Sequence, residues 1–93
     1  MDIQHDEKEH NGVFLVEVDG EILAKLTYRM SGPEKMIIDH TEVDNRLAGK
    51  GAGKQLVAKA VAFAREHNIK IVPLCPFAKA LFDKTQEYRD VLF

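Results

Sequence analysis

Three glycines in alternate positions, interleaved with lysines, constrain this chain more than any other feature. The stretch reads Val43-Asp44-Asn45-Arg46-Leu47-Ala48-Gly49-Lys50-Gly51-Ala52-Gly53-Lys54. Before it, Lys35 to Val43 reads as a strand that opens Met36-Ile37-Ile38 and turns polar at Asp39-His40-Thr41-Glu42. After it, from about Gly51 to His67, apolar residues fall at Leu56, Val57, Ala60, Val61, Phe63 and Ala64. These three- and four-residue spacings mark one face of a helix, and Asn68 is a fitting stop. The glycines therefore occupy a β–α turn, where the first amides of a helix have no partner of their own.

The rest of the chain supplies what this unit packs against. Val13 to Val18 and Glu21 to Tyr28 are extended runs around Asp19-Gly20, the pattern of a hairpin with a two-residue turn. Ser31-Gly32-Pro33 turns the chain into the Lys35–Val43 strand, completing an antiparallel meander. Ile69 to Val72 is a short strand ended by Pro73. A helix separates it from Lys35–Val43, so the two strands can lie parallel in a right-handed crossover. Pro76 opens a short helix running to about Lys84, and Thr85 to Phe93 reads as a further turn. The expected fold is α+β, a meander with a βαβ crossover, its central mixed sheet covered by one long and one short helix. Residues 1–93 make one domain, with 1–11 flexible or peripheral.

Charge narrows the function. Residues 1–23 carry seven acids against Lys8, a balance of −6, whereas residues 45–59 carry Arg46, Lys50, Lys54 and Lys59 and no acid. A local basic patch on a chain of net charge −2 suits a small anionic ligand better than a nucleic-acid backbone. The single cysteine excludes an internal disulfide and a Cys-rich zinc site. His5 and His10 match no ligand spacing, so no metal is expected. The first residues lack the basic and apolar regions of a secretory signal, and no window reaches the ~20 apolar residues of a membrane span. The expected setting is cytoplasmic.

Glycines let amides approach a ligand closely, and a helix start favours phosphate. The nucleoside-triphosphate loop does not fit, because Gly49 lies too near Gly53-Lys54 and Gln55 stands where a hydroxyl is required. The dinucleotide fingerprint belongs to the first strand of a parallel sheet, not to the end of a meander. The segment resembles the coenzyme A loop of the GNAT superfamily of N-acetyltransferases, whose signature is Gln or Arg, two residues, Gly, one residue, then Gly or Ala. Arg46-Leu47-Ala48-Gly49-Lys50-Gly51 fits it, and Cys75 to Lys84 resembles the closing motif of Asn, Ala, Leu, Tyr and Lys. The short length and His40-Thr41-Glu42-Val43 resemble a minimal single-domain subgroup.

The resemblance implies acetyl coenzyme A as acyl donor and an amine as acceptor. It implies a pyrophosphate on Gly49, Lys50, Gly51, Ala52, Gly53 and Lys54, with Arg46 heading the signature. It also implies a pantetheine arm along Thr41, Glu42 and Val43, and Phe82 beside the cofactor. The sequence departs from the family's pattern at Cys75, where Asn is common, and at Phe82, where Tyr commonly protonates the departing thiolate. His40 is a candidate base, imidazole being the side chain best suited to take a proton near neutral pH, and Glu42 is a second. Cys75 falls between a strand and Pro76, at a helix start that favours a thiolate. Two other functions stay open: a coenzyme A-binding module with little catalysis, and a non-enzymatic interaction domain. A monomer or weak homodimer is expected, and no residue selects the acceptor.

Overall fold

The computed structural model describes residues 1–93. Five strands form one sheet in sequence order: β1 Gln4–Glu7, β2 Asn11–Val18, β3 Glu21–Met30, β4 Lys35–Val43 and β5 Lys70–Pro73. Pairing is antiparallel from β1 to β4 and parallel between β4 and β5. Helix α1 (Ala52–His67) links β4 to β5, and α2 (Pro76–Lys84) follows β5. A short 3₁₀ turn (Asn45–Leu47) precedes α1, and another (Gln86–Val91) closes the chain. The α+β architecture expected from the sequence is the one observed.

Local chemistry accounts for the joints. Asp19 and Gly20 have φ of 52° and 79°, the left-handed pair that matches hairpin twist. Asn68 ends α1 at φ 57°, and Ile69 N–H closes onto Ala64 C=O at 2.8 Å. Pro73 has no amide to donate, so the ladder of β5 stops there. The tail is anchored by Phe93 N–H on Ile71 C=O at 2.9 Å and by Arg65 Nε on Asp90 at 2.8 Å.

The helices cover one face of the sheet. Side chains alternate along a strand, so Phe14, Val16, Ala24, Leu26, Tyr28, Met36 and Ile38 meet α1 and α2 in one core. Leu26, Met36, Ile38, Leu56, Val57, Val61 and Ile71 are fully buried there. Truncating one such side chain to alanine costs about 2–5 kcal/mol. Lys25, Thr27, His40 and Glu42 take the uncovered face, with cross-strand partners Lys25–Glu42 and Thr27–His40.

Part of the region expected to be flexible or peripheral is the edge strand β1. Its sequence, Gln-His-Asp-Glu, has no strand preference of its own. His5 holds it. The ring stacks on Phe14 at 4.0 Å, meets Phe63 edge-on at 4.7 Å, and its Nε2 lies 2.6 Å from Tyr28 Oη. Burial lowers the His5 pKa, and burial first, then Glu7 and Asp6, pushes the Tyr28 hydroxyl up to about 12.

Candidate active site at the gap between β4 and β5

The two parallel strands separate halfway along. β5 pairs with Lys35–Ile38 only, while β4 continues to Val43. Leu74 N–H and Cys75 N–H both donate to Ile38 C=O, at 3.1 and 3.2 Å, which marks where β5 peels away. From Asp39 to Val43, β4 is paired through β3 alone. An edge with unmatched amides and carbonyls accepts another extended chain.

The glycine loop lies at the end of that edge. Asp44 starts the 3₁₀ turn by accepting Arg46 N–H at 2.8 Å, and buried Leu47 pins the turn to the core. Gly49 and Gly51 have φ of 77° and 73°, and a Cβ at either would meet nothing within 4 Å. The N–H groups of Gly49, Gly51, Ala52, Gly53 and Lys54 donate to no protein acceptor, whereas Lys50 N–H is taken by Leu47 C=O at 3.1 Å. Lys50 and Lys54 are exposed and enter no ion pair. Five unmatched donors, two cations and the positive end of a sixteen-residue helix thus lie within one six-residue stretch.

Two loop residues do work that the sequence did not disclose. Gly53 is not a left-handed glycine. It is buried in the first turn of α1, and a Cβ there would stand 2.7 Å from the ring of Phe77. Its smallness leaves room for the Phe77 ring of α2 against the first turn of α1. Arg46 is engaged within the protein: its guanidinium grips Glu21 through two bonds, at 2.9 and 2.8 Å, and Asp44 at 2.9 and 3.0 Å. Those bonds hold Asp44 down to about 2, lower Glu21 and raise Arg46 itself. Arg46 thus fixes the shape of the loop, and the free charge belongs to the lysines.

The candidate catalytic residues divide across the sheet. Cys75 caps α2 on the covered side, its Sγ accepting Ala78 N–H at 3.4 Å, and it is 5% exposed. Thr41, half-buried opposite Leu26, places Oγ1 3.4 Å from that sulfur. His40 is exposed on the opposite face, and Glu42 beside it pairs with Lys25 at 3.7 Å. Val43 is 40% exposed at the end of the open edge. Phe82 is buried and packs on Tyr88 at 5.3 Å, so it is a core residue with no group that can carry a proton. Exposed Leu74 and Phe77, which sequence reading did not single out, flank Cys75 at the start of α2; two apolar residues beside a proline carry no periodic signal.

The sequence matches the family described as GCN5-related N-acetyl-transferase over residues 13–91. A GCN5-like protein from Staphylococcus aureus has a similar solution structure, with TM-score 0.76 and 36% identity over 97% of this chain and 87% of that one. Ribosomal-protein-alanine N-acetyltransferase from Brucella melitensis shares the fold at TM-score 0.65 and 22% identity, over 83% of this chain and 62% of that one. A Bacillus anthracis structure in complex with acetyl coenzyme A shares it at TM-score 0.60 and 21% identity, over 83% and 46%. No curated protein matches the sequence. The chain belongs to the GCN5-related N-acetyltransferase family.

Proposed function

We propose that this GCN5-related N-acetyltransferase moves an acetyl group from acetyl coenzyme A to an amine. The observation that carries the reading is the set of five unmatched amides at Gly49, Gly51, Ala52, Gly53 and Lys54, beside an unpaired strand edge. The residues present fit the donor. The amides, with Lys50 and Lys54, suit a pyrophosphate, and the backbone of Thr41, Glu42 and Val43 suits the amide-bearing pantetheine arm. The complex formed by the Bacillus anthracis protein supports the same donor. When bound, acetyl coenzyme A supplies the activated acetyl group.

The division across the sheet supports our reading of the remaining roles. Cys75, on the covered side, is the nucleophile that meets the thioester. His40, on the open face, keeps the incoming amine unprotonated before it attacks, and Glu42 on the same face is the second candidate base. Phe82 is buried and has no hydroxyl, so it cannot protonate a departing thiolate, and in this reading the thiol of Cys75 supplies that proton.

Thermal melting with acetyl coenzyme A, coenzyme A and its dephosphorylated analogue tests the donor. A ligand at 100 times its Kd adds about 2.7 kcal/mol, and each kcal/mol shifts Tm by roughly 4–8 °C in a domain of this size. No shift at millimolar coenzyme A contradicts the reading. A panel of amines, followed by release of free thiol, tests transfer. Donor binding with no transfer to any amine identifies a coenzyme A-binding module instead.

A further inference from the structure

We propose that Thr41 is the positioning residue for Cys75: its hydroxyl aims the sulfur and holds the thiolate in the β4–β5 gap. This rests on the acetyl-transfer reading above. Thr41 stands on the covered face of β4, in the stretch that has no β5 partner. Its Oγ1 lies 3.4 Å from Cys75 Sγ and makes no other side-chain contact of hydrogen-bonding length. Ala78 N–H reaches the same sulfur at 3.4 Å from the first turn of α2. No histidine, lysine or carboxylate bonds to Sγ, and His40 lies on the other face of the sheet.

A hydroxyl is suited to this place because it can reverse. It carries one donor and two acceptor lone pairs on a rotor. While Cys75 holds its proton, S–H donates to Thr41 Oγ1. Once the proton has left, the hydroxyl rotates and donates to Sγ, alongside Ala78 N–H. Both states of the sulfur are then satisfied without moving the backbone. The step balances. Cys75 Sγ bonds to the acetyl carbon, the carbon–sulfur bond of the donor breaks, and the proton of Cys75 passes to the departing sulfur. The amine then bonds to the acetyl carbon, the Sγ–carbon bond breaks, and the surplus proton of the amine passes to the departing Sγ.

Cys75 is the single cysteine, so labelling of the whole protein by iodoacetamide at pH 7, followed by mass spectrometry, reads this sulfur alone. Thr41→Val keeps the β-branched shape and removes the hydroxyl; Thr41→Ala removes it without the branch, should valine fold poorly. Either is expected to slow labelling and acetyl turnover by roughly ten- to hundredfold, the effect of losing one hydrogen bond to a charged group. Thr41→Ser restores both. A role in packing alone predicts the opposite sign, because loosening the wall exposes the sulfur and speeds labelling. Labelling that is unchanged or faster in both hydroxyl-free variants overturns the proposal. Labelling needs no donor, so a wild-type protein that binds no coenzyme A defeats the acetyl-transfer reading while the labelling comparison still decides whether Thr41 holds the thiolate.

Discussion

The two ends of α1 solve the same problem in opposite ways. Any helix begins with four amides and ends with four carbonyls that lack partners within it. At the C-terminal end the protein closes on itself. Asn68 adopts φ 57°, Ile69 folds back onto Ala64, and Phe63 and His67 interlock with His5, Phe14 and Tyr28. At the N-terminal end nothing closes: Gly49 and Gly51 hold the backbone in left-handed turns, and five amides point away from every protein acceptor. The end that is closed serves stability, and the end that is open is the one we propose for binding.

The strongest way to break this contrast is Gly51→Val. Left-handed backbone costs a valine roughly 1–2 kcal/mol, and its side chain would project into the space in front of the amides. Coenzyme A binding, followed by calorimetric titration, is expected to vanish while the circular dichroism of the sheet persists. Normal binding would place the phosphates elsewhere. Gly53→Val acts differently: its Cβ collides with the exposed ring of Phe77, which must swing aside, so part of any loss of binding here reflects a disturbed start of α2.

At the opposite end, Phe63→Ala sharpens the comparison by reversing the readouts. Losing a half-buried ring from the aromatic cluster is expected to cost about 2–4 kcal/mol of stability and to leave coenzyme A affinity unchanged. Denaturant melts and titrations on one sample check both. A large loss of affinity would show that the two ends are not independent.

A pH titration gives a smaller effect. His5 has a lowered pKa in the folded protein, so the unfolded chain binds its proton more readily. The stability from neutral His5 is present above its ordinary value near 6.5 and is lost as pH falls through its folded value. His5→Phe keeps a ring on Phe14 and is expected to flatten that part of the stability curve. An unchanged slope below about pH 6.5 would mean that His5 is not the group responsible. Smallest of all is Lys50→Ala, which removes an exposed charge and no amide. It is expected to weaken coenzyme A binding by about fivefold or less, and less still at high salt.

The contrast also shows what a sequence discloses. Periodicity and punctuation were enough for β2 to β4, for both helices and for the crossover, because Asp19-Gly20, Asn68, Pro73 and Pro76 each carry a local backbone preference. The glycine loop was legible for the same reason. Strand β1 was not, since four polar residues are held by tertiary contacts of His5 rather than by their own propensity. Arg46 and Gly53 looked like ligand residues in a motif. Their partners Glu21 and Phe77 lie far along the chain, beyond anything that spacing reveals. The division of Cys75 and Thr41 from His40 depends on the register shift at Thr27/Tyr28, which no residue pattern announced.

The most direct test follows backbone amide resonances while coenzyme A is added. If the open end of α1 is the binding end, the amides of Gly49 to Lys54 and of Asp39 to Val43 shift, while those of Phe63 to Ile69 and of β1 stay in place. Shifts confined to the aromatic end, or no shift at the glycine loop at saturating coenzyme A, would contradict the account.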